Sequence, residues 1–133
     1  MNPYFKYQRV SATSDNKIQQ MVFVFDEVIK SLYQAQKSIN NNDVEGKHSN
    51  LSKVIDIFYT LHYIIDIAGG GDAAKLFNNF NIISIQKLQD INFNNSKQQD
   101  LGEIIKVVSN VRNVLQENVR CFGNFPAGYL FSR

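Results

Sequence analysis

Apolar side chains recur at every third or fourth position through most of this 133-residue chain. That spacing is typical of one face of an α-helix, and it predicts four helices separated by short polar or glycine-rich breaks. The four apolar stretches run from Ile18 to Ile39, from Val44 to Ile65, from Ala73 to Ile91 and from Leu101 to Phe122.

The breaks carry residues that end and begin helices. Three consecutive asparagines follow the first stretch, and three consecutive glycines follow the second, where left-handed backbone conformations cost glycine little. Asn42 or Asp43 is expected to cap the second helix, and Asp72 the third. Ser96 and Gln99 have the spacing of a capping box ahead of the fourth helix.

No proline interrupts the chain between Pro3 and Pro126, which favours long helices. Short connections between long helices make sequential neighbours antiparallel. We therefore expect an all-α fold, an antiparallel up-down four-helix bundle with a short N-terminal lead-in. The predicted organisation is one domain over residues 1–133, with a lead-in at 1–14, four long helices over 15–122 and a tail at 123–133.

Composition narrows the class of protein. The formal net charge of +2 comes from scattered lysines and arginines, so no basic run indicates nucleic-acid binding. The densest apolar run, residues 21–25, is far shorter than the roughly 20 residues that a membrane span needs. Cys121 is the single cysteine, and the N-terminus lacks a signal-peptide core. We expect a cytoplasmic protein with no integral membrane association.

The helices carry more apolar residues than one core-facing stripe requires. A bundle helix needs about three apolar positions in seven, and the remainder can be polar. Helix tilt, the lead-in and the tail could cover the surplus; alternatively, it lines a groove that receives an amphipathic helix from a partner. The surplus positions are Phe23, Val24, Ile57, Ile64, Ile67, Ile82, Ile85, Val107 and Val114.

Candidate catalytic and metal-binding patterns are weak. Glu45 and His48 form one Glu-x-x-His unit, whereas di-iron bundles use two, and His62 has no glutamate three residues before it. Cys121 lies at the predicted end of a helix without a sign of activation. The three glycines follow a helix and lack the lysine of a phosphate-binding loop. We expect no enzyme activity, no metal and no cofactor.

Short motifs resemble the FliS family of flagellin-specific export chaperones. The N-terminal Asn2-Pro3-Tyr4-Phe5-Lys6-Tyr7 resembles that family's Asn-Pro-Tyr-x-x-Tyr, and Phe23-Val24-Phe25-Asp26 its Met-Leu-Tyr-Asp. Ile65-Asp66 followed by Gly70-Gly71-Asp72 is similar to its turn between the middle helices. Further positions at the family's spacing are Ala74, Phe77, Phe80, Leu88, Asn92 and Val111-Arg112, so the resemblance covers about residues 2 to 116.

The chain also departs from the family pattern. Phe25 replaces a tyrosine, Asn81 stands where an aromatic residue is usual, and Leu115 stands where tryptophan is common. The tail after Glu117 has no counterpart in the pattern. These changes are compatible with the fold and alter the side chains available for partner contact.

The resemblance implies a cytosolic chaperone that binds the disordered C-terminal segment of flagellin. It would prevent premature polymerisation of flagellin and assist its delivery to the flagellar type III export apparatus. Other flagellar export factors are possible further partners. The alternative is a structural bundle that dimerises through the same apolar strips and has no transient client. The expected partner-binding residues are Pro3, Tyr4, Tyr7, Val10, Ile18, Met21, Val22, Phe25, Asp26, Ile29, Phe77 and Phe80.

Both ends of the chain are rich in aromatic residues. Tyr4, Tyr7 and Val10 are expected to lie over the apolar groove as a lid and to move when the client arrives, because such a segment should not remain in water. The aromatic stretch of the tail, residues 121–131, is expected to dock on its own bundle or on a neighbouring chain for the same reason.

Overall fold

The computed structural model describes the backbone of residues 14–68 and 72–117, and the side chains of residues 19–63 and 75–117. Within that part the chain forms four α-helices and no strand, which confirms the predicted all-α fold. A 3-10 helix, Asn95–Asp100, precedes the last of them. The α-helices are α1 (Ser14–Asn40), α2 (Val44–Ala68), α3 (Asp72–Phe93) and α4 (Leu101–Glu117).

Several predictions concern residues outside the described part. They are the lead-in and its lid, the turn of three glycines, the continuation of the fourth helix from Glu117 to Phe122, and the docking of the tail. The side chain of Asp72, the expected cap of α3, also lies outside it.

The helices pack as an antiparallel bundle. Helix α2 lies along both α1 and α3, and α1 also lies along α4. His48, near the start of α2, contacts Asn92 near the end of α3, and Asp26 in the first half of α1 bonds Arg112 near the end of α4. Neighbouring helices therefore run in opposite directions, as the short connections predict.

The apolar stripes of the four helices meet in one buried core. On α1 the stripe contains Val28, Leu32 and Ala35, each fully buried, as the spacing of three and four residues requires. Leu88 and Val108 bring α3 and α4 into the same core. Each such large side chain contributes about 1.5–3 kcal/mol by leaving water, and this burial holds the helices together.

The connection between α1 and α2 follows from local chemistry. Asn42 has a φ of 58°, a left-handed conformation that asparagine tolerates better than most residues. The next residue, Asp43, accepts a hydrogen bond from the backbone N–H of Gly46 through Oδ1 at 2.9 Å. Asp43 is thus the cap of α2, one of the two residues that the sequence offered for that role.

The predicted capping box at Ser96 and Gln99 is wrong. The segment Asn95–Asp100 forms the 3-10 helix, and its N-cap is Asn94. Asn94 Oδ1 accepts from the Ser96 backbone N–H at 3.0 Å and from the Ser96 hydroxyl at 2.7 Å. The helix therefore begins before Ser96, and its first free N–H, that of Ser96, is bonded by the Asn94 side chain. The Ser96 hydroxyl donates to the same Asn94 oxygen and does not act as the cap.

None of the helices in the described part is long and apolar enough to cross a membrane.

Candidate partner-binding surface

Four phenylalanines from three helices form the centre of the bundle. Phe25 of α1 contacts Phe58 of α2 and Phe77 and Phe80 of α3, with ring centroids 6.3, 5.9 and 6.1 Å apart. Phe80 also meets Phe58 edge-on at 5.7 Å. Edge-to-face packing of this kind adds to the energy of area burial, so the cluster ties α1, α2 and α3 to one another.

The structure gives different positions to the expected partner-binding residues. Val22, Phe25, Phe77 and Phe80 are 7%, 0%, 1% and 1% exposed and lie in the core. A partner could contact them only if a helix moved. Met21 and Ile29 are half-buried against the core. Those outside the described side chains are Pro3, Tyr4, Tyr7, Val10 and Ile18.

Asp26, another expected partner-binding residue, is exposed and paired. Its Oδ1 accepts a hydrogen bond from Arg112 Nε at 2.8 Å, which links α1 to α4. Such a solvent-exposed pair contributes about 0–1 kcal/mol, so it adds little to the stability of the bundle. In the sequence, Arg112 stands out only as part of a family motif, because its pairing with Asp26 joins residues 86 apart in the chain.

Most of the surplus apolar positions are consumed by packing. Val24, Ile57, Ile85 and Val114 are buried, and Val107 is half-buried. Phe23 and Ile82 remain 44% and 41% exposed. Ile64 and Ile67 lie outside the described side chains. Most of the surplus thus contributes to the contacts between helices, and fewer of these residues face solvent than the pattern alone indicates.

One seam between the described helices is packed less closely than the others. In a closed four-helix bundle α3 would lie along α4, but these two helices approach each other at far fewer positions than the other neighbouring pairs do. We take this less closely packed seam between α3 and α4 as the candidate furrow. Partner helices bind apolar furrows of this kind through residues spaced three and four apart.

Helical geometry assigns the residues that line this furrow. Ile83 precedes Asn92 by nine residues, about half a turn of rotation at 3.6 residues per turn, so it faces away from the α2 contact that Asn92 makes. Val107 likewise lies on the side of α4 away from Arg112, which marks the side facing α1. Both side chains are half-buried and pack against the edge of the hydrophobic core. We call Ile83 and Val107, with the helix faces that carry them, the α3–α4 furrow.

Polar groups gather on the inner side of α3. Asn81 is completely buried, and neither its Nδ2 nor its Oδ1 has a hydrogen-bond partner. The Ser84 hydroxyl and Asn78 Oδ1 are also buried without a partner. Asn81 departs from the family pattern, which has an aromatic residue at this position, but only the packing shows that its amide is buried.

Near the C-terminal end of α3, side chains are hydrogen-bonded to α2. Lys47 Nζ donates to Asn95 Oδ1 at 3.2 Å, and His48 Nδ1 lies 3.2 Å from Asn92 Oδ1. His48 also meets the ring of Phe93 at 6.3 Å. Lys47 is only 4% exposed, and burial lowers its pKa below the usual 10.5. The sequence pattern does not predict that Lys47 is buried, because a lysine in the first turn of a helix is normally a surface residue.

Among the described residues no group of three or more His, Cys, Asp or Glu side chains is placed to hold a metal ion. His48 is exposed and engaged with Asn92 and Phe93.

Comparisons with known proteins agree with the motifs. A family profile described as flagellar protein FliS matches residues 1–120. The chain is 25% identical over 105 residues to the flagellar secretion chaperone FliS of Vibrio cholerae serotype O1 (strain ATCC 39315 / El Tor Inaba N16961). That alignment covers 79% of this chain and 75% of the relative. No solved structure gives a significant match.

Proposed function

The chain belongs to the FliS family of flagellar proteins, and from that premise we propose that it is a cytoplasmic export chaperone whose client is the C-terminal segment of flagellin. The observation that carries the proposal is the family match, which spans residues 1–120 and so includes every described helix. The relative in Vibrio cholerae is named a flagellar secretion chaperone. The physical properties of the bundle support the same activity.

A client that is disordered when free must gain enough contact area to offset the entropy lost on ordering. An open furrow between long helices suits such a client, because an amphipathic segment can fold into it as a helix. The α3–α4 furrow offers half-buried Ile83 and Val107 for its apolar anchors. Covering the client segment in this way would hold it away from other flagellin molecules until delivery to the flagellar type III export apparatus.

The proposed lid belongs to the same mechanism. Tyr4, Tyr7 and Val10 would cover the apolar furrow in the unbound chaperone and leave when flagellin binds, and Pro3 would set the direction of the segment. Deleting residues 1–10 should then change both client affinity and the tendency to self-associate. A deletion that left both unchanged would remove the lid from the mechanism and leave the furrow untouched.

Calorimetric titration with a synthetic peptide of the flagellin C-terminus tests the function directly. We expect near one-to-one binding, a gain of helicity by circular dichroism and a negative heat-capacity change, which marks apolar burial. A scrambled peptide of the same composition is the control. Absence of binding together with a stable homodimer in sedimentation would favour the structural, dimerising bundle instead.

A pair of valine variants locates the site. Val107→Lys places a charge in the furrow and should weaken peptide binding, whereas Val44→Lys, at a residue 76% exposed at the start of α2, should not. Circular dichroism must show both variants folded. Equal binding by the two would mean that the client uses another face.

A further inference from the structure

Helix α3 is hydrogen-bonded to α2 near its C-terminus, whereas several buried polar atoms in its first half have no hydrogen-bond partner. Near its C-terminus the Asn92 carboxamide contacts His48, and the Asn95 carboxamide that follows accepts from Lys47. Asn94 caps the 3-10 helix that continues the chain. These side-chain contacts fix the end of α3 against α2.

The same seam repeats toward the start of α3 without the bonds. His62 lies fourteen residues after His48, and Asn78 lies fourteen residues before Asn92, so antiparallel packing brings the second pair into the same register. Ile55 and Ile85, both buried, hold the corresponding position between the two pairs. Yet His62 Nδ1 and Asn78 Oδ1 are each buried without a hydrogen-bond partner.

The unpartnered groups concentrate on this half of α3. Of the six buried side-chain polar atoms that lack a partner among the described residues, four belong to Asn78, Asn81 and Ser84. A fifth, on His62, lies in the seam just described. Each such atom is destabilising in the closed bundle, since it has given up water and gained no bond. Because α4 approaches α3 at few positions, contacts with α4 do little to offset that cost.

We propose that residues 75–84 of α3 separate from the bundle when the client binds, and that their inner face becomes part of the binding surface. This deepens the proposed function and rests on it. The face presents Phe77 and Phe80 beside Asn78, Asn81 and Ser84. The occupant it fits is an amphipathic helix whose apolar side carries amide or hydroxyl groups one turn apart. Such a helix satisfies the orphaned polar atoms while its apolar residues meet the rings.

Two of the expected partner-binding residues, Phe77 and Phe80, are buried in the closed bundle and would be uncovered by this movement. Phe77 and Phe80 are 1% exposed in the closed bundle and cannot reach a partner there. Movement of residues 75–84 would uncover both rings and the face of Phe25 against which they pack. The bonded end at Asn92 and Asn95 would act as the fixed point of that movement.

Asn81→Leu tests the inference, with Ser31→Ala as the matched control. Leucine removes the enclosed amide and should favour the closed bundle, so client affinity should fall about tenfold if opening precedes binding. Amide exchange over residues 75–84 should slow at the same time. Ser31→Ala removes another buried, unpartnered hydroxyl, on α1, and should leave both readouts unchanged. An Asn81→Leu chain that binds client as tightly as the wild type would overturn the proposal.

The wild-type chain gives a second readout that depends on neither variant folding nor client identity. Amides of residues 75–84 should exchange faster than those of residues 85–93, because only the latter lie next to the bonded end. Equal exchange across α3 would also overturn the proposal. If the wild type binds no flagellin peptide while this exchange pattern is present, the proposed function fails and the opening of α3 stands.

Discussion

Phe25 shows how one residue can serve several helices. Its ring contacts Phe58, Phe77 and Phe80, and it has no exposed surface. The family pattern places tyrosine here, and in this chain the ring lies among other rings, where a hydroxyl would need a partner. The substitution at position 25 is therefore consistent with the aromatic packing around it.

Truncating this ring should be among the most destabilising single changes. Phe25→Ala removes contacts to α2 and α3 and leaves a cavity, so we expect the unfolding free energy to fall by about 3–5 kcal/mol in urea titration. Tyr33→Ala, on the same helix at 58% exposure, should change it by less than about 0.5 kcal/mol. Similar losses for the two variants would show that the cluster is not the centre of the core.

Lys47 makes stability depend on pH in a definite direction. Burial lowers its pKa, so the charged form is disfavoured in the folded chain and stability is reduced at neutral pH. As pH rises toward the ordinary value of 10.5, the folded chain releases this proton before the unfolded chain does. Stability attributable to Lys47 therefore increases with pH.

Comparing Lys47→Met with the wild type isolates this contribution. The wild type should gain stability relative to Lys47→Met as pH rises from neutral to 10.5, measured by urea titration at each pH. Lys53→Met removes an exposed charge from the same helix and serves as the control. A wild-type curve that runs parallel to the Lys47→Met curve would contradict the role of burial.

At the scale of the element, the start of α2 depends on a glycine inside a helix. A Cβ on Gly46 would collide with the Asp43 carboxylate and come within 2.6 Å of Ser38 Oγ. The Gly46 N–H is also the donor to the Asp43 cap. Close approach of the cap, and not backbone conformation, is what requires glycine here.

Two glycine substitutions should therefore have opposite effects. Gly46→Ala should destabilise, because displacing the Asp43 cap costs about 1 kcal/mol and steric strain adds to it. Gly102→Ala should stabilise by about 0.5–1 kcal/mol, since no atom lies within 4 Å of the added Cβ and alanine is the better helix former. Thermal unfolding monitored at 222 nm, a standard helix signal, compares them. The same sign for both changes would refute the steric argument.

At the scale of the whole molecule, the decisive feature is the uneven packing of the four described helices. Three of their seams are closely packed, and the fourth, between α3 and α4, is packed less closely. The packing of α1 against α2 and α4, together with the bonded end of α3, holds the helices together without that seam. An opening with a stable framework around it is what a chaperone for an unfolded segment requires.

Client binding should raise the stability of the whole bundle. A ligand that binds only the folded state adds RT ln(1 + [L]/Kd), about 2.7 kcal/mol when the peptide is present at a hundred times its Kd. Thermal unfolding with increasing peptide should show this rise for the wild type and a smaller one for Val107→Lys. A fall in the unfolding temperature would mean that the peptide prefers unfolded chain.

The sequence alone determined the number of helices, the positions of most of their ends in the described part, and the family. Periodicity, the asparagine break after Ile39 and the cap at Asp43 act over a few neighbouring residues, and such local signals can be read directly from the chain. The 3-10 helix was not predicted because Asn94 and Ser96 are both good cap residues, and the sequence pattern does not show that Asn94 caps first by accepting from the Ser96 N–H.

Only the tertiary structure decided which surplus apolar residues are buried and where the bundle stays open. Ile57, Ile82 and Ile85 are all surplus apolar positions in the sequence pattern, yet packing buries Ile57 and Ile85 and leaves Ile82 41% exposed. The orphaned amide of Asn81 and the pair of Asp26 with Arg112 depend on neighbours from other helices. Burial and partnership are properties of side chains brought together over long chain separations, so they follow from how the helices pack and cannot be read from local spacing.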